Sequence, residues 1–308
     1  MPLTAYPGIL GGSGAPYMNL SRLWTTGDIW FVHNGRGSNN NDGRDSLRPR
    51  ASIANAEGQT RANRGDLIVA LEGHVETISA AAGLVFDTAG VALIGMGRGA
   101  ARPQINFTTA VGADIDIDAA SIYIDNIIFT GGIDALTGPL DVNAADFTML
   151  NCEYRDVTGQ CTDFMVADAG ADRLLIDNFV YRGATAAGTN AGFALTGMES
   201  PTIKNLWMDG NFAVGGIDIR TTALTDLTVN NVIFRTRNAA DIFLIDTITG
   251  STGMIGGGWG IFIRLQDNAA NITEAITGAT FVLCDNIWVV NAANEKALLI
   301  NWVASADL

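Results

Sequence analysis

A repeat of about 27 residues constrains the fold of this chain more than any other feature of its sequence. Six segments align without gaps on the pattern apolar, x, apolar, x, Asn, apolar, x, apolar. Successive asparagines are separated by 25, 27, 27, 26 and then 55 residues, and the last step fits two repeats with one asparagine replaced. The six asparagines are Asn126, Asn151, Asn178, Asn205, Asn231 and Asn286. A fixed period of this length indicates a solenoid.

The pattern inside each repeat indicates three short strands. Apolar residues alternate on both sides of the asparagine, which is the period of a β-strand, so the asparagine lies at a bend between two strands. A third alternating stretch precedes each pair by about ten residues. These stretches are 115–117, 140–142, 164–166, 193–195, 217–219 and 242–244. We therefore predict an all-β fold, a single right-handed three-faced parallel β-helix of about nine coils.

The repeated asparagine has a structural explanation. Asparagine tolerates the left-handed backbone that a tight corner requires, and its amide can pass hydrogen bonds from one coil to the next. We predict that the six asparagines form a structural ladder with no catalytic role. The replaced asparagine is predicted at Gly258, within a glycine-rich run.

Changes in composition and hydrophobic periodicity along the chain predict four parts. Residues 1–27 are rich in Gly, Pro and isolated aromatics, and we predict an extended docking arm with Tyr6, Tyr17 and Trp24 as its contacts. Residues 28–64 are predicted to cap the N-terminal end of the solenoid, with a short helix over 51–63. The parallel β-helix is predicted over 65–300 and a tail over 301–308.

Composition excludes several classes of function. The chain has 18 basic and 32 acidic residues, a net charge of −14, so a nucleic acid partner is not expected. Its three cysteines form no CxxC pair, and we predict no metal, no cofactor and no redox site. The sequence has no long apolar run, so no membrane partner is expected, and synthesis in the host cytoplasm is expected because the N-terminus lacks a signal-peptide pattern.

One acidic stretch raises the question of catalysis. Asp114, Asp116 and Asp118 alternate with isoleucines and so project from one strand face, and Asp141 and Asp218 recur in later coils. Stacked carboxylates can bind Ca²⁺ or cleave a glycoside. The other coils place Met165, Ala194 and Phe243 at the equivalent outward position, and no basic residue is placed as a proton acceptor. We therefore predict a solvated acidic face rather than an active site, with the three aspartates as the only metal candidates.

A second outward row is apolar. The position two residues after each asparagine register reads Ile128, Glu153, Val180, Trp207, Ile233, Gly260 and Trp288. Aligned apolar residues on a rod form a continuous patch, and such patches mark interfaces. We predict that Ile128, Val180, Trp207, Ile233 and Trp288 form the interface of a homotrimer. The alternative is that a loop or the N-terminal arm covers this face.

The residues that begin the solenoid resemble a known family. They are the run 39–45, Pro49 with 52–53, and the segments 65–69, 73–77 and 93–98. These motifs resemble the pectate-lyase-like β-helix proteins, and specifically the short ones of tailed-phage virions and prophages, over about residues 28–290. The resemblance specifies the fold, whereas its members include lyases, hydrolases, adhesins and inert virion parts.

The resemblance and the missing catalytic set together imply a virion structural protein. We predict a non-enzymatic, trimeric capsid decoration or spike protein, located in the virion and attached through its arm to another virion protein such as the major capsid protein. Two alternatives stay open. One is a tail-spike or fibre adhesin that binds a host surface glycan, and the other is a polysaccharide lyase or hydrolase.

Overall fold

The structure is a computed structural model, and it describes residues 25–185, 189–237, 242–265, 276, 281–284, 286–290 and, for the backbone, 296–299. The predicted arm contacts Tyr6, Tyr17 and Trp24 and the predicted tail 301–308 lie outside the described residues. No helix among the described residues is long and apolar enough to cross a membrane.

Short strands make up nearly all of the regular structure. One five-residue α-helix, α1 (Ile53–Glu57), and one 3₁₀ turn, Gly99–Ala101, are the helical elements within the described residues. The strands are β1 Ile29–Val32, β2 Leu67–Ala70, β3 Val75–Ile78, β4 Leu84–Phe86, β5 Ala92–Gly95, β6 Gln104–Phe107, β7 Ile115–Ile117, β8 Tyr123–Asp125, β9 Ile128–Gly131, β10 Leu136–Val142, β11 Thr148–Leu150, β12 Glu153–Asp156, β13 Cys161–Ala167, β14 Leu175–Arg182, β15 Thr189–Leu195, β16 Thr202–Gly210, β17 Phe212–Ile219, β18 Leu227–Thr236, β19 Leu244–Asp246, β20 Gly253–Ile255, β21 Ile261–Arg264, β22 Phe281–Leu283, β23 Ile287–Val290 and β24 Lys296–Leu299.

The strands stack in parallel into a right-handed β-helix of about eight turns, which confirms the predicted fold class. Each turn contributes a strand before the asparagine, a strand after it, and a third strand in a separate sheet. We call these the first, second and third legs of the coil. The third legs form a seven-stranded sheet in the order β19-β17-β15-β13-β10-β7-β4. The other two legs are joined through the asparagine corner into a 17-stranded sheet.

The interior of the solenoid is a continuous apolar core. Inward side chains from all three legs are buried, and aromatic rings stack from coil to coil through its centre. The ring centroids of Tyr154 and Phe164 are 4.6 Å apart, and those of Phe164 and Phe179 are 5.2 Å apart. Each fully buried ring contributes about 1.5–3 kcal/mol. Because all coils share this core, each outward position is held in register with its neighbours above and below.

The coil that lacks an asparagine has a different register from the predicted one. Ile261 pairs with Val232 on one side and with Ile287 on the other, so Gly260, not Gly258, occupies the asparagine position. Glycines 256–258 and Trp259 form a longer turn before the corner. The residue two positions after the corner is therefore Phe262, and the row contains phenylalanine where the sequence prediction placed Gly260.

The third leg also differs in register at two places. Asp141 pairs with Val166, so the inward positions of β13 are Met165 and Ala167 and the predicted stretch 164–166 was displaced by one residue. Asp218 pairs with Ile245, which displaces the predicted stretch 242–244 by two residues. The pairing of β10 with β13 is irregular between Leu136 and Leu140, but both residues lie 25 positions before their partners Cys161 and Met165, so this irregularity does not cause the displacement.

The two ends of the solenoid are built differently. At the N-terminal end β1 pairs in parallel with β2, so strands begin upstream of residue 65. Ile53 and Ala56 of α1 are buried in the core, and the Ile53 amide donates to Glu76 at 3.0 Å; whether this helix caps the solenoid stays a prediction. At the C-terminal end β24 pairs with β23 in the antiparallel direction.

Candidate functional site

The asparagine corner lies between the first and second legs. Six asparagines at this corner have left-handed φ values, from +51° at Asn231 to +74° at Asn286. The side-chain amide of Asn178 donates to Asn151 at 2.7 Å, and that of Asn231 donates to Asn205 at 3.1 Å. The corner thus combines a backbone shape that suits asparagine with hydrogen bonds between coils. These groups are occupied by structural contacts.

Aspartates take part in the same corner, which the sequence reasoning missed. The amide of Asn151 donates to Asp125 at 2.6 Å, and the amide of Asn205 donates to Asp177 at 2.6 Å. The Asp precedes the Asn by one residue within a coil, so the corner alternates between acceptors of two kinds. The recurring Asp-Asn pair in three of the six aligned segments was the signal for it.

Exposed apolar side chains are concentrated around the same corner in the last coils. On the first leg Met254 lies beside Val282, and on the second leg Phe262 lies between Ile233 and Trp288. These five side chains are 42–58% exposed, and Trp259, at the turn itself, is 95% exposed. We define the C-terminal apolar corner as Ile233, Met254, Trp259, Phe262, Val282 and Trp288. Adjacent strands are about 4.8 Å apart, so the six residues form one patch.

The N-terminal half of the predicted interface row is not apolar surface. Ile128 is fully buried, so it cannot contact a partner as predicted. Glu153 in the next coil is bound by Arg102, Arg155 and Arg182. Farther along, Val180 and Trp207 are partly exposed, and the Arg182 guanidinium lies 4.9 Å from the Trp207 ring centroid. Only Ile233 and Trp288 of the five predicted residues belong to the exposed apolar corner.

The acidic row lies on the outer face of the third legs. Asp116 of β7 pairs directly with Asp141 of β10, so their carboxylates leave neighbouring strands on the same face. Asp114 and Asp118 flank Asp116, and each has a hydrogen-bond donor: the Ala82 amide for Asp114, and Asn143 at 3.0 Å for Asp118. The row then becomes apolar at Val166, Ala194 and Ile245, apart from Asp218.

Crowding changes the acid–base properties of this row. Burial, together with the charges of Asp114, Asp118 and Asp141, raises the pKa of Asp116 to about 6. Burial also raises the pKa of Asp114 and of Asp141. A carboxyl group whose pKa is raised towards neutrality beside a second carboxyl group can take part in general acid–base chemistry.

The described residues contain no group of three or more His, Cys, Asp and Glu side chains placed to bind a metal, so Asp114, Asp116 and Asp118 are not brought together as a metal site. Farther along the same sheet Asp163 and Asp218 are both bound by Arg220, which makes that cluster an internal ion-pair network. Cys152 is buried, and burial raises its pKa to about 12, so its thiol is unreactive.

Comparison with known proteins adds one structural likeness. No protein-family model matches the sequence, and no curated protein is significantly similar to it. The chain is similar in structure to a protein named rhamnogalacturonan lyase, with 12% sequence identity and a TM-score of 0.42. The similarity covers 89% of this chain and 90% of that chain. An identity this low transfers no residue role.

The sequence prediction that this chain is not an enzyme is contradicted by this comparison, because the similar protein is named as a lyase. We withdraw that prediction. Which chemistry the chain could perform has to be judged from its own side chains. Asp116 and Asp141 are paired on adjacent strands, and the pKa of each is raised by burial.

Proposed function

We propose that the chain is a homotrimeric structural protein of a virion, a capsid decoration or spike protein, that assembles through the C-terminal apolar corner. The observation that carries the proposal is the exposure of Ile233, Phe262 and Trp288 in one row, with Met254 and Val282 around the bend. Water contact with so much adjoining apolar surface is unfavourable, by about 25 cal/mol per Å².

The position of this patch on a corner favours three-fold symmetry. Each coil has three legs, so the solenoid has a triangular cross-section. When three copies point the asparagine corner at a common axis, the first leg of each copy lies against the second leg of the next. In that arrangement Met254 and Val282 of one copy face the row around Phe262 of its neighbour, with Trp259 nearest the axis. The contact is heterologous and closes after three copies, so no apolar face is left over.

Light scattering on purified protein tests the assembly. We expect a trimer for the wild type and a folded monomer for Phe262→Glu combined with Trp288→Glu, because six like charges would meet near the axis. The matched control is Val157→Glu, which alters an even more exposed apolar residue away from the corner and should remain trimeric. A monomeric wild type, or a double variant that stays trimeric with an unchanged circular dichroism spectrum, would contradict the proposal.

The virion role rests on the resemblance of the 39–98 region to phage β-helix proteins. It is supported by a rod that has a patch for self-association at one end and a separate N-terminal segment for attachment, and the attachment partner we propose is another virion protein such as the major capsid protein. Cryo-electron microscopy of particles produced with and without the gene is the test. Loss of a trimeric surface feature in the deletion particles is expected, and identical particles would contradict the role.

A second candidate function is cleavage of a polysaccharide at the acidic row. The observation that favours it is the pairing of Asp116, whose pKa is raised to about 6, with Asp141 on the adjacent strand. In this case Asp116 would donate a proton to the leaving oxygen and Asp141 would act as the second carboxylate. Release of reducing or unsaturated sugar ends from a polysaccharide panel, lost in Asp116→Asn and retained in Asp168→Asn, would support it. No release by the wild type across the panel would contradict it.

A further inference from the structure

A second apolar cluster lies on the outside of the solenoid in its first coils. Strand residues alternate between faces, and in β2 Ile68 and Ala70 belong to the interior core whereas Leu67 and Val69 belong to a separate cluster. The other members of that outer cluster are Ile29, Phe31, Leu71 and Ile94, with Ala92, Met96 and Tyr123 packed against them. The six main members are at most 7% exposed although they face away from the core.

The same rows become polar in later coils. The row that begins with Leu67, Ala92 and Tyr123 continues with Thr148, Leu175, Thr202 and Thr228, and it ends with Met254 and Val282 of the C-terminal apolar corner. The row that begins with Val69 and Ile94 continues with Asp125, Asp177 and Lys204 among its members. The outer face of the first leg is therefore apolar at the N-terminal end and again at the C-terminal apolar corner, and the coils between them carry mostly polar residues in these rows.

A cavity adjoins this cluster where the described chain begins. Its volume is about 650 Å³, and its walls include Thr25, Arg64, Leu67, Ala92, Ile94 and Tyr123. The residues after Thr25 are fixed to the solenoid, since the Thr25 hydroxyl donates to the Gly65 carbonyl and the Asp28 amide donates to Asp66 at 2.7 Å. Thr25, the first described residue, thus lies in the wall of the cavity.

Residues 15–24, which precede Thr25, are rich in large apolar side chains and could bind an apolar surface. Residues 15–24 contain Tyr17, Met18, Leu20, Leu23 and Trp24 and a single charge, Arg22. Ten extended residues span about 33 Å, whereas three adjacent strands span about 10 Å, so this segment is long enough to cross the cluster. We propose that residues 15–24 of the same chain bind the outer apolar cluster and fill the cavity, which leaves residues 1–14 for attachment to a partner. This inference is independent of the C-terminal apolar corner.

Thiol labelling measures this cover directly. A cysteine replaces Ala92 in the cavity wall, on a Cys284→Ser background because Cys152 and Cys161 are buried. We expect slow labelling of this cysteine in the full chain and after deletion of residues 1–14, and labelling at least tenfold faster after deletion of residues 1–24. The control is Thr202→Cys, which lies in the same row three coils beyond Tyr123 and should react at one rate in all three chains.

The oligomeric state of each deletion chain is measured by light scattering on the same samples. Faster labelling of Ala92→Cys in a deletion chain whose oligomeric state is unchanged would support the proposed binding of residues 15–24. This holds for a monomer and for a trimer, so the result does not depend on the trimer proposal. Equal labelling rates for Ala92→Cys with and without residues 15–24 would overturn the inference. So would protection that is lost when the full chain is diluted to monomers, since the cover would then come from another copy.

Discussion

The asparagine corner permits a prediction that separates backbone strain from hydrogen bonding. Asn178 has a φ of +56°, and its amide donates to Asn151 at 2.7 Å. Replacement by leucine removes the hydrogen bond and forces a branched side chain into the left-handed region. The exposed hydrogen bond contributes about 0.5–1 kcal/mol and the strain about 1–2 kcal/mol, so Asn178→Leu should lower the free energy of unfolding by about 2 kcal/mol.

Glycine at the same position removes only the hydrogen bond, because glycine adopts a positive φ without strain. The chain already uses this substitution, since Gly260 occupies the corner of a later coil with a φ of +103°. Asn178→Gly should therefore cost about 1 kcal/mol or less, and the difference between the two variants measures the strain.

Urea unfolding followed by circular dichroism at 25 °C is the assay, with Asn205→Leu and Asn205→Gly as an independent pair. Asn205 has a φ of +54° and donates to Asp177 instead of an asparagine, so both pairs should give a similar difference. Leucine and glycine variants that unfold at the same urea concentration would refute the account of the corner, because the backbone would then not require a left-handed residue.

Three further outcomes are expected. Asp116→Asn should stabilise the protein at pH 7 by about 1 kcal/mol and have little effect at pH 3.5. The pKa of Asp116 is raised from 3.8 to about 6, so its ionisation opposes folding as the pH rises through this range. Melting curves of the variant and the wild type at both pH values test this prediction. Gly258→Ala should lower the melting temperature, since its φ is +64° and a Cβ would lie 2.7 Å from Asn231 Oδ1, whereas a chain that melts as the wild type does would exclude that close approach. Arg182→Ala should increase quenching of Trp207 fluorescence by acrylamide, measured against Trp207→Phe to isolate its signal, because the guanidinium covers the ring; unchanged quenching would exclude the contact.

The sequence was sufficient for the fold because the signal is local and repeated. Each aligned segment carries the alternation of two strands and the residue for the bend between them, so every coil predicts the same geometry independently. The prediction was wrong where one coil departs from the others. The extra glycines before Gly260 lengthen the turn before the corner, and Phe262 was missed as a surface residue for that reason.

Properties that depend on neighbouring coils could not be read from the sequence. Ile128 has the same position in its repeat as Ile233, yet Ile128 is buried and Ile233 is exposed. Burial is the largest cause of the raised pKa of Asp116, and one of the further contributions comes from Asp141, which lies 25 residues later and becomes a neighbour only through strand pairing. Long-range contacts of this kind are set by the register of the whole stack.

The antiparallel pair of β23 and β24 has a consequence for how the molecule behaves at high concentration. A parallel stack ends in a strand with free amide and carbonyl groups, and a second molecule could add its own first coil there and begin a fibre. Because β24 runs in the opposite direction, the hydrogen-bonding pattern it presents does not continue the parallel register of β21 and β23. Among the described strands, this leg therefore ends in one that runs against the others and is a poor template for further growth in the parallel register.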